Sequence, residues 1–526
     1  MTFSELMLKL ASDPGRTEDI SAEEIIRALK QEFPSASRTG PAPLVGESIA
    51  PPADLPGIEW KGGAYHPTSV QQVREIVYWA RGHGRHVRTA GARHSVPESV
   101  YSTDKHDVRV VLDGDLRRVT FLEKTPQYGI VQAGAGCYLG VNPQDHSSTP
   151  ETSFNRIIDA QGYALPILGG ISHQSIAGFL QTSSSGGSLC HGMADTLVEI
   201  ELVTGTGDVV VVRSGSDEFN AAAVSMGLFG VITHATFKVE PRYFVSGNEE
   251  NRPVEDSLLT KEDGRYRLSD ALATTDYLHL NWFPQLHVKR TTEWRGSRGP
   301  VLDPGKPYKS ELKGPLLNAL AALVLLITSA ASSIDPERAA VLVGDLLRLF
   351  VQLDGPKDFN YYWYQTLPCD DQVEVDSLIK IIFTEIWLPL DQLTEAVDRL
   401  NVLFKDQAVA GNFAVELYGA KKSPFWLSPA FDRDVVRVDV FWWAYSFGKP
   451  RDHFAHFWKA LLELPGARLH WGKHLPDVGE MYGSVHFDVN FLRDRYEKLD
   501  DWMTMRHRMD PQRVFLSPYW QQIFGL

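Results

Sequence analysis

A chain of 526 residues with 43% hydrophobic and 22% charged side chains has the composition of a folded globular protein. It is too long for one ordinary core, so two domains of about 200 to 250 residues are expected. A formal charge of −14 disfavours a nucleic-acid surface, which needs a basic stripe to displace counterions, and disfavours anionic membranes. Three separated cysteines (Cys137, Cys190 and Cys369) in no Cys-x-x-Cys spacing indicate neither a zinc site nor a disulfide framework, which points to a reducing, cytoplasmic setting. The opening Met1-Thr2-Phe3-Ser4-Glu5 lacks the basic-then-apolar pattern of a secretion signal.

Taken in order, residues 21–33 read as a helix, because Ser21 and Glu24 stand at capping-box spacing and Ile25, Ile26, Leu29 and Phe33 share a face. A Pro/Gly/Ser-rich arm covers 34–57. Pro67-Thr68-Ser69 opens a helix through Val70, Val73, Ile76, Val77 and Ala80, and the glycines at 82 and 84 end it. A strand over 86–89 then leads into Gly91-Ala92-Arg93-His94-Ser95. Small residues with exposed backbone N–H groups can form a nest for a phosphate, although an ordinary loop with a structural histidine has the same composition. Strands follow over 108–112 and 128–133. The Gly134-Ala135-Gly136 run after them misses the Rossmann spacing, since the next glycine, Gly140, lies one place too far.

Residues 165–178 run into the tract Thr182-Ser183-Ser184-Ser185-Gly186-Gly187-Ser188. Such a run is either a loose loop or backbone laid against a flat ligand, and regular strands immediately after it, over 197–204 and 209–213, favour the ligand. A helix over 219–226 and a strand over 230–239 complete an α+β domain.

The middle of the chain, about 244–468, is expected to form a second domain. Residues 315–334 carry no charge, and an apolar helical run follows at 339–353. Buried or substrate-capping helices are favoured there, with membrane-surface contact as the alternative. Strands are expected over 363–367, 381–388, 412–418 and 435–445. The third of these puts Glu416 and Tyr418 on one face. Phe441, Trp442 and Trp443 read as aromatic core. In His470-Trp471-Gly472-Lys473-His474 the i, i+4 histidines suggest a metal, but Lys473 between them would repel a cation.

The ordered set His66-Pro67, Gly91-x-x-His94-Ser95, Gly134-x-Gly136, Leu165-Pro166, Ile176-Ala177-Gly178, Glu201-Leu202-Val203-Thr204, Gly230-Val231-Ile232-Thr233 and His470-Trp471-Gly472-Lys473 resembles the vanillyl-alcohol-oxidase superfamily with its PCMH-type FAD-binding domain. Within it, the chain is most similar to the alditol, aldonolactone and sterol oxidase branch. The resemblance implies a two-domain α+β fold: an N-terminal extension and linker (1–57), an FAD-binding domain (58–245), a substrate domain on an antiparallel sheet flanked by helices (246–479), and a C-terminal return to the FAD domain (480–526). It further implies that Thr89, Ala90, Gly91, Ala92, Arg93, His94 and Ser95 hold the FAD pyrophosphate, with His94 joined covalently to the flavin. Gly170, Ser175, Gly178, Thr182, Ser183, Ser184, Ser185, Ile232 and His470 would line the cofactor. Cys190 lies beyond the Gly186-Gly187 pair, so a single covalent bond is expected.

By the same resemblance, Glu416 and Lys473 contact the substrate hydroxyl and handle its proton, with Tyr418 beside them. A desolvated lysine can act as base, whereas a Glu416–Lys473 ion pair would be only electrostatic. Where alditol oxidases bring a serine, an arginine and a threonine, this chain has Gly170, Tyr418 and Phe441. That pattern predicts a bulkier, less hydroxylated alcohol. Gly169 leaves room for O₂ as acceptor, with H₂O₂ as product. The competing classes are an aldonolactone oxidase, a flavoprotein dehydrogenase, and a non-redox binding protein that keeps the fold.

Overall fold

The computed structural model describes residues 51–526 except 53, 103, 105, 303–304, 309–343, 345–346, 349–350, 370–380, 412 and 444–448. The expected N-terminal helix, most of the arm and most of the apolar run 315–353 lie outside the described residues. No helix among the described residues is long and apolar enough to cross a membrane.

The first domain carries two sheets. Four short strands, β1 (Glu59–Lys61), β2 (Ala64–His66), β3 (Val87–Thr89) and β4 (Val108–Val110), lie in the order β1-β2-β4-β3. The Val70–Gly82 helix connects β2 to β3; Ser69 caps it by accepting from the Gln72 N–H, and Val73, Ile76, Val77 and Ala80 form its buried face. The second sheet runs β5 (Val119–Lys124), β6 (Gly129–Gly134), β10 (Gly230–Pro241), β8 (Leu197–Thr204), β9 (Val209–Arg213), with β7 (Tyr163–Ala164) also paired to β10. Strand β5 has no counterpart in the sequence reading because it is an edge strand with most side chains exposed, so its apolar alternation is weak. The helix expected over 219–226 is the shorter Asp217–Ala222, capped by Ser216.

An eight-stranded antiparallel sheet builds the second domain. Its strands are β11 (Phe244–Pro253), β14 (Tyr277–Phe283), β15 (Arg290–Gly299), β16 (Lys357–Tyr362), β17 (Ile381–Pro389), β18 (Val415–Ala420), β19 (Val435–Trp443) and β20 (Arg468–Leu469); the hairpin β12 (Lys261–Glu262) and β13 (Arg265–Tyr266) stands apart. The order is β16-β11-β15-β14-β18-β19-β17-β20. The strand expected over 363–367 is instead one helical turn, Trp363–Thr366, after β16. Trp363 leaves the sheet because its buried indole donates to Asp159 Oδ1, 3.1 Å away in the first domain. A strand would leave that carboxylate without this donor.

Three phenol and guanidinium groups fix the sheet on the first domain through the carbonyls of the Leu165-Pro166 motif. Tyr243 donates to the Leu165 carbonyl at 2.9 Å, while Tyr277 and Arg298 both donate to that of Pro166, at 2.7 and 2.8 Å. The C-terminus returns through Leu499–Met509 and Pro518–Phe524. There the carboxylate of buried Asp510 accepts from the Val514 and Phe515 N–H groups, which shapes the Asp-Pro turn.

Arg88 is the knot of the first domain. It is buried, and its guanidinium donates to the carbonyls of Ser99, Val100, Met226 and Phe515, joining three distant segments. Burial lowers its pKa to about 10, still far above neutrality, so the group is a permanent cation that saturates four carbonyls. Arg88→Met is expected to destabilise the protein by roughly 3 kcal/mol or more, because those carbonyls lose their donors in a dry site. Urea-unfolding midpoints of the variant and the parent measure this.

Candidate active site

A cleft of about 960 Å³, counting its open mouth, runs between the β3 loop and the second sheet. Its walls include Thr89, Ala90, Gly91, Ala92, Arg93, His94, Ser95, Ser175, Gly178, Thr182 and Ile232. Backbone and small side chains dominate. Arg88 and Arg93 line it, and no Asp or Glu does among the described lining residues. A long, flat ligand with a dianionic centre fits that donor set, as FAD requires. The loops are tightly packed: a Cβ on Gly91 would stand 2.1 Å from Ser175 Oγ. Arg93 and Ser183, one in each cofactor loop, hold left-handed φ angles of 65° and 62°, a conformation that non-glycine residues adopt only where the surroundings enforce it. The His94 ring meets His173 edge-on, with centroids 4.3 Å apart, and its Nε2 is shut off from solvent.

Several expected cofactor residues do not line this cleft. Gly170, Ser183, Ser184, Ser185 and His470 are absent from its walls. Ser183 Oγ pairs with Ser428 Oγ, Ser184 Oγ accepts from Gln174, and the Ser185 carbonyl accepts from Arg437. The serine tract therefore fastens the two domains together as much as it borders a ligand. His470 is buried, and its Nδ1 accepts from the Gly472 N–H; burial lowers its pKa to about 3, so the ring is neutral. The walls missed in the sequence include Ala135 and Gly136, a pair that the failed Rossmann spacing had set aside, and Trp471 and Trp520 near the C-terminus.

Gly472 brings the pieces together. Its carbonyl accepts from the Val96 N–H at 2.9 Å. A Cβ there would sit 2.8 Å from Ser95 Oγ and 3.3 Å from Thr182 Cγ2, so any side chain would have to displace the Ser95 hydroxyl between the two cofactor loops. Lys473 follows immediately, placing its ammonium 3.6 Å from the centroid of the Phe383 ring and 3.8 Å from Glu385 Oε1.

Beyond Lys473 the second-domain sheet presents one charged face. Pairing register sets Tyr418 opposite Arg437 and Arg437 opposite Trp387, and sets Glu416 opposite Asp439 and Asp439 opposite Glu385. Side chains two apart on a strand share a face, so three carboxyls lie in one cross-strand row. All are buried, Glu416 to 4% exposure and Arg437 to 3%. The Arg437 guanidinium is sandwiched between Trp387 and Tyr418, 4.5 and 4.1 Å from their ring centroids. It donates to Glu385 Oε2 at 2.7 Å and Asp439 Oδ2 at 3.1 Å. Glu416 Oε1 pairs with His279 Nδ1 at 3.0 Å, and the His279 ring stacks on Tyr418.

Electrostatics separate the three acids. Burial disfavours ionisation of Glu385, but Arg437, helped by Lys473, overrides it and lowers the carboxyl to about 2. Glu416, without a guanidinium in contact, is pushed up by burial to about 7. Asp439 is driven well above the usual carboxylate range, again by burial.

Two expectations change here. Lys473 forms an ion pair with Glu385, which the sequence reading did not single out, while the hydrogen-bond partner of Glu416 is His279. The site has also not lost its guanidinium at position 418, because Arg437 supplies one from the neighbouring strand. Phe441 does turn to an aromatic surface, with Phe383 and Phe413, their centroids 5.1 and 5.7 Å from its own.

Glu416 holds its proton more tightly when folded, about 7 against an ordinary 4.5. The stability it contributes is therefore complete below pH 4.5 and is lost as pH rises through 7. Glu416→Gln keeps an oxygen to accept from His279 and removes the titration. Its stability should exceed the parent's increasingly from pH 5 to 8, by on the order of 2 kcal/mol, as read from chemical-denaturation midpoints across pH.

Comparison with known proteins agrees with this architecture. Residues 63–213 match the FAD binding domain family, and residues 235–523, over half the chain, match the family model described as D-arabinono-1,4-lactone oxidase. Over 470 residues the chain is 23% identical to L-gulonolactone oxidase of Scyliorhinus torazame, covering 88% of this chain and 94% of that one. It is 24% identical to L-gulono-1,4-lactone dehydrogenase of Mycobacterium tuberculosis, covering 87% and 95%. A cholesterol oxidase structure from Brevibacterium sterolicum superposes with a TM-score of 0.64 at 14% identity over 88% of this chain and 94% of that one, which shows a shared fold. The chain thus belongs to the D-arabinono-1,4-lactone oxidase family and is an FAD-dependent oxidoreductase.

Proposed function

We propose that the protein oxidises a CH–OH group of a hydroxylated lactone, with O₂ as electron acceptor and H₂O₂ as product. The observation that carries this reading is the His470–Lys473 motif: Trp471 lines the cleft, the Gly472 carbonyl is bound to Val96 just after the β3 loop, and Lys473 reaches Glu385 on the charged sheet face. FAD, when bound, supplies the hydride acceptor. Thr89–Ser95, Ser175, Gly178, Thr182 and Ile232 would hold it, with a covalent bond from His94 as part of the proposal.

The chain's own groups do the rest. Removing hydride from an alcohol carbon also requires stabilising the oxygen and receiving its proton. Lys473 offers N–H donors to that oxygen. Arg437 holds the serine-tract carbonyl at Ser185 and the acid row at once, so cofactor loop and substrate wall keep a fixed spacing. The half-buried Phe383, Phe413 and Phe441 offer a flat apolar surface against which a sugar ring's C–H face can rest, next to charged groups on the same sheet face that suit its hydroxyls. A hydroxylated ring matches this mixed surface, and the lactone-oxidising relatives support the choice. A second reading, a bulkier alcohol with few hydroxyls, is favoured by the aromatic trio alone.

Under air, the purified yellow protein is expected to release peroxide with L-gulono-1,4-lactone or D-arabinono-1,4-lactone at rates at least 10-fold above those with cyclohexanol. The reverse preference supports the bulkier-alcohol reading. Flavin reduction without peroxide would instead make the protein a dehydrogenase. The parent's colour should stay with acid-precipitated protein, whereas that of His94→Ala should wash out; an acid-stable yellow His94→Ala rules out the bond.

A further inference from the structure

We propose that Glu385, held by Arg437, is the positioning residue that keeps Lys473 a cation, so that the lysine acts as a hydrogen-bond donor to the substrate oxygen and not as a neutral base. The proposal rests on the reading of Lys473 as a substrate-facing group and assigns its protonation state and the residue that sets it.

The geometry is a chain of contacts across three strands and one loop. Glu385 on β17 divides its oxygens: Oε2 receives Arg437 at 2.7 Å and the Trp387 indole N–H at 3.2 Å, and Oε1 faces Lys473 at 3.8 Å. With Oε2 taken by two donors, the carboxylate is pinned, and Oε1 presents a fixed negative charge to the ammonium. Phe383, two residues earlier on the same strand and face, lies under that ammonium. A ring face and a carboxylate both stabilise the charged form of a lysine and penalise the neutral form. The following ionisable groups near the pair, among the described residues, have partners of their own. Asp439 and Arg437 on β19 pair with each other, Tyr418 on β18 donates to Asp439 Oδ2, Glu416 on β18 binds His279 on β14, and His470 on the lysine's own loop is occupied by the Gly472 N–H.

Arg437 makes this arrangement possible. A carboxylate in a buried row with two further acids, opposite Asp439 and one strand from Glu416, would by itself take up a proton. The guanidinium, locked between two rings, bonds Glu385 more closely than Asp439, at 2.7 against 3.1 Å, and holds the Glu385 carboxyl ionised, whereas burial favours the protonated form of Glu416 and Asp439. One negative charge is thereby delivered to the end of the row that meets Lys473.

Glu385→Gln preserves the shape and one accepting oxygen while deleting the charge. Two readouts test it on the flavin-loaded enzyme. The first needs no turnover: competitive acetylation of Lys473 with acetic anhydride, followed by mass spectrometry, reports its titration directly. The labelling midpoint should fall by about one pH unit or more in Glu385→Gln, and an unmoved midpoint overturns the proposal. The second is the pH profile of anaerobic flavin reduction by a substrate lactone. If the lysine works as a cation, the rate declines at high pH as it deprotonates, and Glu385→Gln moves the midpoint of that decline to lower pH by about one unit or more, matching the shift in labelling. A rate that rises with pH, and is faster at pH 8 in Glu385→Gln, identifies a neutral base and overturns the proposal. Flavin content and thermal midpoint of the variant establish that it is folded. A lowered labelling midpoint in a protein that oxidises no lactone would leave the Glu385–Lys473 assignment standing and reject the substrate reading, so the two failures are distinct.

Discussion

A guanidinium held between two aromatic rings is the constraint on which both halves of the site depend. Arg437 is buried, touches two carboxylates and spends a further N–H on the carbonyl of Ser185 in the other domain. Burying a cation, and a row of acids with it, costs several kcal/mol per unpaired charge. The arrangement is stable because each charge has a fixed partner and because burial favours the protonated form of Glu416 and Asp439. Such a network is poor as a source of stability and good as a source of geometry. Breaking one member leaves its partners charged in a dry place, so the parts hold their positions or fail together.

How much of this was legible in the sequence follows from what each signal depends on. Local signals read well. Ser69 as a cap, the apolar face of Val70–Gly82, and the strands Leu197–Thr204 and Val209–Arg213 stand where local patterning put them. So do the loop Thr89–Ser95 and its cleft. Glu416 and Tyr418 do share a face. What the sequence could not show was the register between strands. Arg437 and Glu385 are 52 positions apart, and nothing in Val435–Trp443 or Ile381–Pro389 says that they meet. The alternation Arg437, Asp439, Phe441 against Phe383, Glu385, Trp387 was the available hint: charged residues at alternate positions of otherwise apolar strands, where burial would demand a partner.

The same limit explains the exchanges of role. Tyr418 looked like the loss of a polar contact when read along its own strand. Read across the sheet, it is one plate of the sandwich that holds the replacement cation. Trp363 looked like strand because aromatic residues suit strands, but the polar demand of a buried Asp159 won over propensity. The serine tract looked like a cofactor wall, and part of it is an interdomain fastener.

Gly472 also bears on how a substrate enters. The backbone of Gly472 is tied to Val96, and a side chain added at Gly472 would meet residues of both cofactor loops, so the lysine motif is fastened to the first domain at this point. Any opening that admits a molecule to the lysine cannot swing the lysine loop away from the flavin side. Phe383 and Phe441, on the same sheet face as Glu385 and Asp439 and with Phe413 packed against Phe441, are only half-buried. The approach to the lysine therefore runs over the aromatic end of that face, while Gly472 anchors the lysine's own end.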